Sequence, residues 1–222
     1  MKLIIYGADV VGVESNCRYP HRLEISNAKE LTEAILKDHV CAEYQGNYRS
    51  VDNFLSSDCL VMDLDNDHSE DPSEWITAEK LTELIPDVDF MMAASRHHML
   101  PKEGKAPRPR YHVYFPIEEC VSAERYSAMK TALQKRFSFF DGNAVDAARF
   151  IFGCDCESLV VNEGWVSIDE EIDLVDETTA SNEPEPGVIS QGSRNNTMSH
   201  FAGRVLKRFG VTEKAKNAFL EH

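Results

Sequence analysis

The sequence predicts a mixed α/β or α+β fold, and three observations carry that prediction. Apolar runs of strand length alternate with amphipathic runs of helical period. The clearest strand, Cys59-Leu60-Val61-Met62-Asp63-Leu64-Asp65, passes from apolar to acidic at its end. No internal repeat is visible, and no apolar run approaches the roughly 18 residues that a membrane helix needs.

Taken in order, residues 2–6 read as a short strand. A helix follows, with Ser26 or Asn27 as its N-cap and Leu31, Ala34, Ile35 and Val40 at helical spacing. After the Cys59 to Asp65 strand, Thr77 opens a helix that carries Leu81, Leu84 and Ile85 and stops at Pro86. Residues 89–94 and 111–117 are two more apolar strands, separated by a hairpin loop rich in Pro, Lys and Arg. Residues 122–137 form an amphipathic helix with Tyr126, Met129, Leu133 and Phe137 on one side. Residues 169–187 are rich in acids, Thr and Pro without periodicity and read as a linker. Two helices are expected beyond it, at 196–209 and 213–220. The expected organisation is a domain over 1–168, an acidic linker over 169–188 and a helical segment over 189–222.

The 222 residues carry a net charge of −15, a poor overall balance for a partner made of phosphates. The acids are concentrated, however. Eleven lie between Asp58 and Asp89 against one Lys, and eleven more lie between Phe150 and Ser193 with no Lys or Arg. Residues 95–116 carry five Lys or Arg against Glu103, plus three His. Such segregation suits a site that joins metal ions to phosphates, and it also suits plain solvated loops. The six cysteines form no CxxC pair and are expected to be reduced, which fits the cytoplasm of a bacterial host cell. Cys154-Asp155-Cys156 lacks a second ligand pair for zinc.

Three motifs carry chemistry. Asp63 and Asp65 lie on one face of a strand, about 7 Å apart by strand rise, where their carboxylates can converge on one hard divalent cation. Ser95-Arg96-His97-His98 and Arg110-Tyr111-His112-Val113-Tyr114-Phe115 place donors for a triphosphate where apolar strands end or begin. Asp141 follows an amphipathic helix, with Asp146 and Arg149 downstream, and offers a further ligand and a further phosphate contact; it also reads as a helix N-cap.

In that order, the motifs resemble those of the archaeo-eukaryotic primase superfamily, most of all the primase-polymerases of phages and mobile elements. The likeness covers about residues 40 to 155 and includes Tyr48-Arg49-Ser50-Val51-Asp52-Asn53-Phe54. It implies a catalytic core with an RRM-like mixed sheet flanked by helices. Asp63, Asp65 and Asp141 then match the metal-binding acids, with Asp146 as the alternative third acid. His112, opening His112-Val113-Tyr114-Phe115, matches the second-motif histidine, with Ser95, Arg96 and His97 as alternatives. Arg110 and Arg149 would join them on the nucleotide. Two Mg²⁺ or Mn²⁺ ions, NTP or dNTP, and a single-stranded DNA template or primer are the implied cofactors and partners. Gln191-Gly192-Ser193-Arg194-Asn195-Asn196 looks like the opening of a primase C-terminal helical module, which implies a longer parent protein, with a helicase fused downstream or acting in trans. A metal-dependent nuclease using the same acids, and a non-catalytic nucleic-acid-binding module, are the competing expectations.

Overall fold

The computed structural model describes residues 1–156 and 159–172, and the described core is a compact unit over Met1–Ile172. The predicted linker beyond 172, the helices at 196–209 and 213–220, and the C-terminal module lie outside the described residues. Within the unit the predicted α+β class holds: two antiparallel sheets are flanked by helices. None of the described helices is long and apolar enough to cross a membrane.

The chain runs β1 (Leu3–Gly7), β2 (His21–Ile25), α1 (Ala28–Ala34), β3 (His39–Val40), β4 (Glu43–Tyr44) and β5 (Phe54–Leu64), followed by α2 (Ala78–Leu84) and β6 (Phe90–Ala94). It continues with β7 (Tyr111–Cys120), α3 (Ala123–Arg136), β8 (Phe150–Ile151) and β9 (Leu159–Asn162). One sheet has the order β2-β1-β3-β8 and the other β4-β5-β7-β6-β9. Both β5 and β6 pair antiparallel with β7, so they run parallel to each other with β7 inserted between them. The segment β5-α2-β6 is therefore a split crossover. Strand-helix alternation in the sequence thus yields antiparallel ladders, because the β6–β7 hairpin fills the gap that the crossover leaves.

Strand alternation in β5 divides the core. Leu60, Met62 and Leu64 face a cluster with Leu81 of α2, Leu133 of α3 and Val113 and Phe115 of β7. Cys59 and Val61 face the opposite way, toward Leu3 and Ile5 of β1, Leu31 of α1 and Tyr114 of β7. Asp63 continues this second face, where the apolar filling ends. That register is what makes a buried strand end in a site.

The helices are capped as their sequences predict. Asn27 accepts from Glu30 N, Thr77 from Lys80 N and Ser122 from Arg125 N. Val40 is a correction, since α1 ends at Ala34 and Val40 belongs to β3. Asp38 supplies the reason. It is fully buried and its carboxylate accepts backbone N–H bonds from Gly12 (2.9 Å), Val13 (3.0 Å) and Gly153 (2.8 Å). Those bonds tie three segments together at a point a longer helix would carry away. Gly153 must lack a side chain there, because a Cβ would lie 2.6 Å from Leu36 O.

The β6–β7 hairpin is held by a second buried polar residue. Asn66, at φ 55°, donates to Ile76 O (3.0 Å) and Pro109 O (2.9 Å) and accepts from Ile76 N (2.7 Å). Arg108, also fully buried, donates to Asn66 O (3.0 Å) and reaches Glu70 (2.8 Å), while Lys105 pairs with Asp67 (2.8 Å). The loop acids expected to face solvent therefore meet the basic hairpin. Opposite charges that are separate in the sequence are joined in the fold. Replacing Asn66 with Ala leaves three buried backbone groups without partners and is expected to cost about 2–3 kcal/mol. In urea titrations the midpoint should fall with an unchanged slope; an unchanged midpoint would contradict this account of the hairpin.

Candidate functional site

The site is built on the ends of β5 and β7. Asp63 pairs in register with His112, and His112 Nδ1 lies 3.1 Å from Asp63 Oδ1. Arg149, from the segment before β8, donates through Nη2 to Asp63 Oδ2. Asp141 is tethered alongside by its backbone, whose N–H donates to Asp63 O at 2.9 Å. Its carboxylate accepts from Asn143 N (2.8 Å), which caps a 3₁₀ turn over Gly142–Ala144. Asp146 accepts from Ala148 N (2.9 Å). Asp141 and Asp146 both act electrostatically on Arg149. Either acid therefore remains a candidate third carboxylate.

Asp65 sits one residue past β5. Lys102 of the hairpin binds it at 2.6 Å, and Arg110 Nε approaches to 4.0 Å. Arg110 is fully buried. Its Nη1 donates to Leu100 O (2.9 Å) and His97 O (3.2 Å), whereas Nε and Nη2 have no hydrogen-bond partner. It therefore braces the hairpin from below. Ser95 is buried, with Oγ accepting from His97 N (3.3 Å). Arg96 is exposed and lies flat on Phe152, 3.4 Å from the ring centroid. The fold thus gathers Asp63, His112, Arg149 and the Asp141 backbone in one group, with Asp65, Lys102 and Arg110 in an adjoining one. Ser95 and His97 belong to the hairpin base, and the Arg96 side chain points to Phe152.

Burial alone would raise the Asp63 pKa, yet the carboxyl is held well below the usual range. The hydrogen bond and charge of His112, then Arg149 and Lys130, outweigh desolvation. Lys130 was not anticipated. It is fully buried on α3 and its ammonium has no hydrogen-bond partner. Burial pushes its pKa down to about 8, against the pull of Asp63 and Asp146. A signal existed in the sequence, because a Lys one turn after Tyr126 and beside Met129 lies within the apolar stripe of α3. Burial and the positive charges of Arg96, Lys102 and Arg110 lower the His97 pKa.

His39, also unanticipated, is sealed behind the site. Its Nε2 lies 2.9 Å from Tyr114 Oη, and burial lowers its pKa to about 4, so it is a neutral structural imidazole. Cys154 and Cys156 are free thiols, and Cys156 Sγ donates to Ala94 O at 2.7 Å. Among the described residues no three His, Cys, Asp or Glu side chains converge as a metal-binding group.

No family model matches the chain, and no curated protein does. Among solved structures, the chain is similar to the AEP domain of the cyanophage S-2L primase-polymerase (PrimPol), at 10% sequence identity and a TM-score of 0.44. That match covers 78% of this chain and 88% of that one.

Two pH effects follow from the site. The lowered Asp63 pKa stabilises the fold fully above the unfolded carboxyl value of about 4, and that contribution drains away as pH falls through the folded value. The stability difference between the parent and Asp63→Asn should therefore shrink in urea titrations between about pH 6 and pH 3. Lys130 behaves in the opposite sense. Between pH 8 and 10.5 the unfolded chain holds a proton that the folded chain has released, so stability rises with pH across that window. Lys130→Met should lose this rise; equal slopes in parent and variant would refute it.

Proposed function

We propose that the chain is a primase-polymerase: a nucleotidyltransferase that joins a nucleotide from NTP or dNTP to a 3′-hydroxyl on a single-stranded DNA template. The observation that carries the reading is the pair of acids at the end of β5. Asp63 is enclosed by His112 and Arg149, and Asp65 by Lys102 and Arg110. Carboxylates and cations in contact, on a rigid strand rather than a loop, are what transfer between a metal-bound triphosphate and a hydroxyl requires. The sequence resemblance around these same residues supports the same chemistry.

The donor set fits hard divalent cations in its chemistry. Asp63 and Asp65 follow the same strand two residues apart, and Asp141 is tethered beside Asp63. Each of the first two carboxylates is charge-balanced by a long, rotatable cation, Arg149 or Lys102. Asp63, Asp65 and Asp141 would hold Mg²⁺ or Mn²⁺, which supplies charge neutralisation on the phosphates and a lowered 3′-hydroxyl pKa. Arg149 and Lys102, once off the acids, are placed to bind phosphate oxygens. Arg149 suits bidentate contact and Lys102 suits a point-charge contact.

His112, on the same strand pair as Asp63, orients that carboxylate and offers its other ring nitrogen toward the nucleotide. The reaction forms the bond from the 3′-oxygen to the α-phosphorus and releases pyrophosphate. Arg110 does its work from beneath, holding the hairpin that presents Lys102. The buried Lys130 adds positive charge behind Asp63 and keeps that carboxylate ionised.

Primer extension on a single-stranded template with Mn²⁺ or Mg²⁺ tests the reading. Asp63→Ala should lose extension by at least about a thousandfold while its circular dichroism persists. Arg149→Ala should raise the nucleotide KM more than it lowers kcat. Degradation of labelled single-stranded DNA with metal and no nucleotide, abolished by the same Asp63→Ala change, would replace the polymerase reading with a nuclease.

A further inference from the structure

Outside the acid site, three arginines stack on aromatic rings along one continuous line. Arg96 lies over Phe152 at 3.4 Å, Phe152 meets Phe150 edge-on at 4.8 Å, and Arg49 lies over Phe150 at 4.7 Å. Arg49 then joins the next segment, its backbone N–H donating to Cys17 O at 2.8 Å. Beyond Cys17, Arg18 covers Tyr48 at 5.7 Å, and Tyr48 is 45% exposed. Arg18 and Tyr48 also form an isolated backbone bridge. Four separate stretches of the chain, around residues 18, 48, 96 and 151, thus contribute to one strip.

The strip is charged without being neutralised. Among the described residues no carboxylate lies within 4 Å of Arg18, Arg49 or Arg96, although the chain as a whole carries −15. Arg49 spends its donors on Ala148 O (2.9 Å) and a weak contact to Cys17 Sγ, and its buried Nε has no partner. In an acidic protein, three guanidiniums left beside rings rather than beside acids are disposed toward an anionic ligand. The line also leads to the site. Phe150 directly follows Arg149, which binds Asp63, and Arg96 directly follows Ser95 at the hairpin base.

We propose that Arg18, Tyr48, Arg49, Phe150, Phe152 and Arg96 form a track that binds a single-stranded nucleic acid and leads it to the Asp63 site. Guanidiniums take the phosphates, and the exposed ring of Tyr48 with the edges of Phe150 and Phe152 takes bases. Stacking rings recognise any base, so the track reads strandedness rather than sequence. A duplex hides its base faces and gains only the phosphate contacts. That the bound strand serves as the template rests on the primase-polymerase reading; that the strip binds single strands does not.

The test uses the full chain, fluorescein-labelled oligo-dT and fluorescence anisotropy in EDTA without nucleotide. Arg49→Ala and Tyr48→Ala should each weaken binding about tenfold. The Arg18→Ala, Arg49→Ala double variant should flatten the slope of log affinity against log salt by about 2. Lys29→Ala, which removes an equal charge from the exposed face of α1, should bind like the parent. Tyr48 is exposed, so its removal leaves the fold intact, and matching circular dichroism verifies each variant. Parent-like binding by Arg49→Ala and Tyr48→Ala overturns the track, as do equal losses in Lys29→Ala. Preference for duplex DNA of the same length overturns its single-strand character, and equal competition by poly-glutamate reduces it to a general anion surface. Because Asp63→Ala should keep full oligo-dT binding, loss of extension with binding intact sinks only the catalytic reading.

Discussion

A carboxylate cannot stay ionised inside a protein core unless the core brings the opposite charge to it, and Asp63 imposes that demand on this fold. It is 4% exposed and lies on the same strand face as Cys59 and Val61, where an apolar residue would have been the simpler filling. Three elements answer it. Strand β7 supplies His112 directly across the ladder, the segment before β8 supplies Arg149, and α3 supplies the more distant charge of Lys130. The tether from Asp141 N to Asp63 O fixes the loop that carries Arg149. Removing either close partner would strand a buried charge, which is far more destabilising than never having placed one there.

Much of this was legible in the sequence where a single element decided the outcome. The apolar-to-acidic switch at residues 59–65 gave both the strand and its two acids, because alternation with period two is local. The caps at Asn27, Thr77 and Ser122 were legible for the same reason. The partners of those acids were not. Lys102 comes from 37 residues downstream of Asp65 and Arg149 from 86 downstream of Asp63, and only the sheet order brings them in. Arg110 was read as a phosphate ligand by its charge and its neighbours. Its complete burial depends on the hairpin folding back over it, which no local pattern encodes. The short strands β2, β3, β4, β8 and β9 were missed because two to five residues carry too little periodicity to register. Val40 was misassigned because Asp38 draws its three backbone amides from distant loops.

The charge distribution is reorganised in the same way. Along the sequence the acids of residues 58–89 and the bases of residues 95–116 look like two separate fields. In the fold they interlock through Lys102–Asp65, Lys105–Asp67 and Arg108–Glu70. What remains unbalanced is different from what the sequence displays: a line of arginines on rings, drawn from four segments, which no window of sequence contains. Net charge is thus a poor guide to which ligand the surface favours, since it averages over pairs that have already cancelled.

The self-neutralised acids also separate folding from ion supply. Small domains that gather their metal ligands only as they fold come apart when the metal is chelated, because ion binding and folding are one equilibrium. Here the end of β5 closes with the chain's own cations, Arg149 and His112 on Asp63 and Lys102 on Asp65. Polypeptide made in a metal-starved cell, or carried through a chelating purification, therefore reaches and keeps the same core. The free energy of any ion that later binds is then left entirely for the ion's own task.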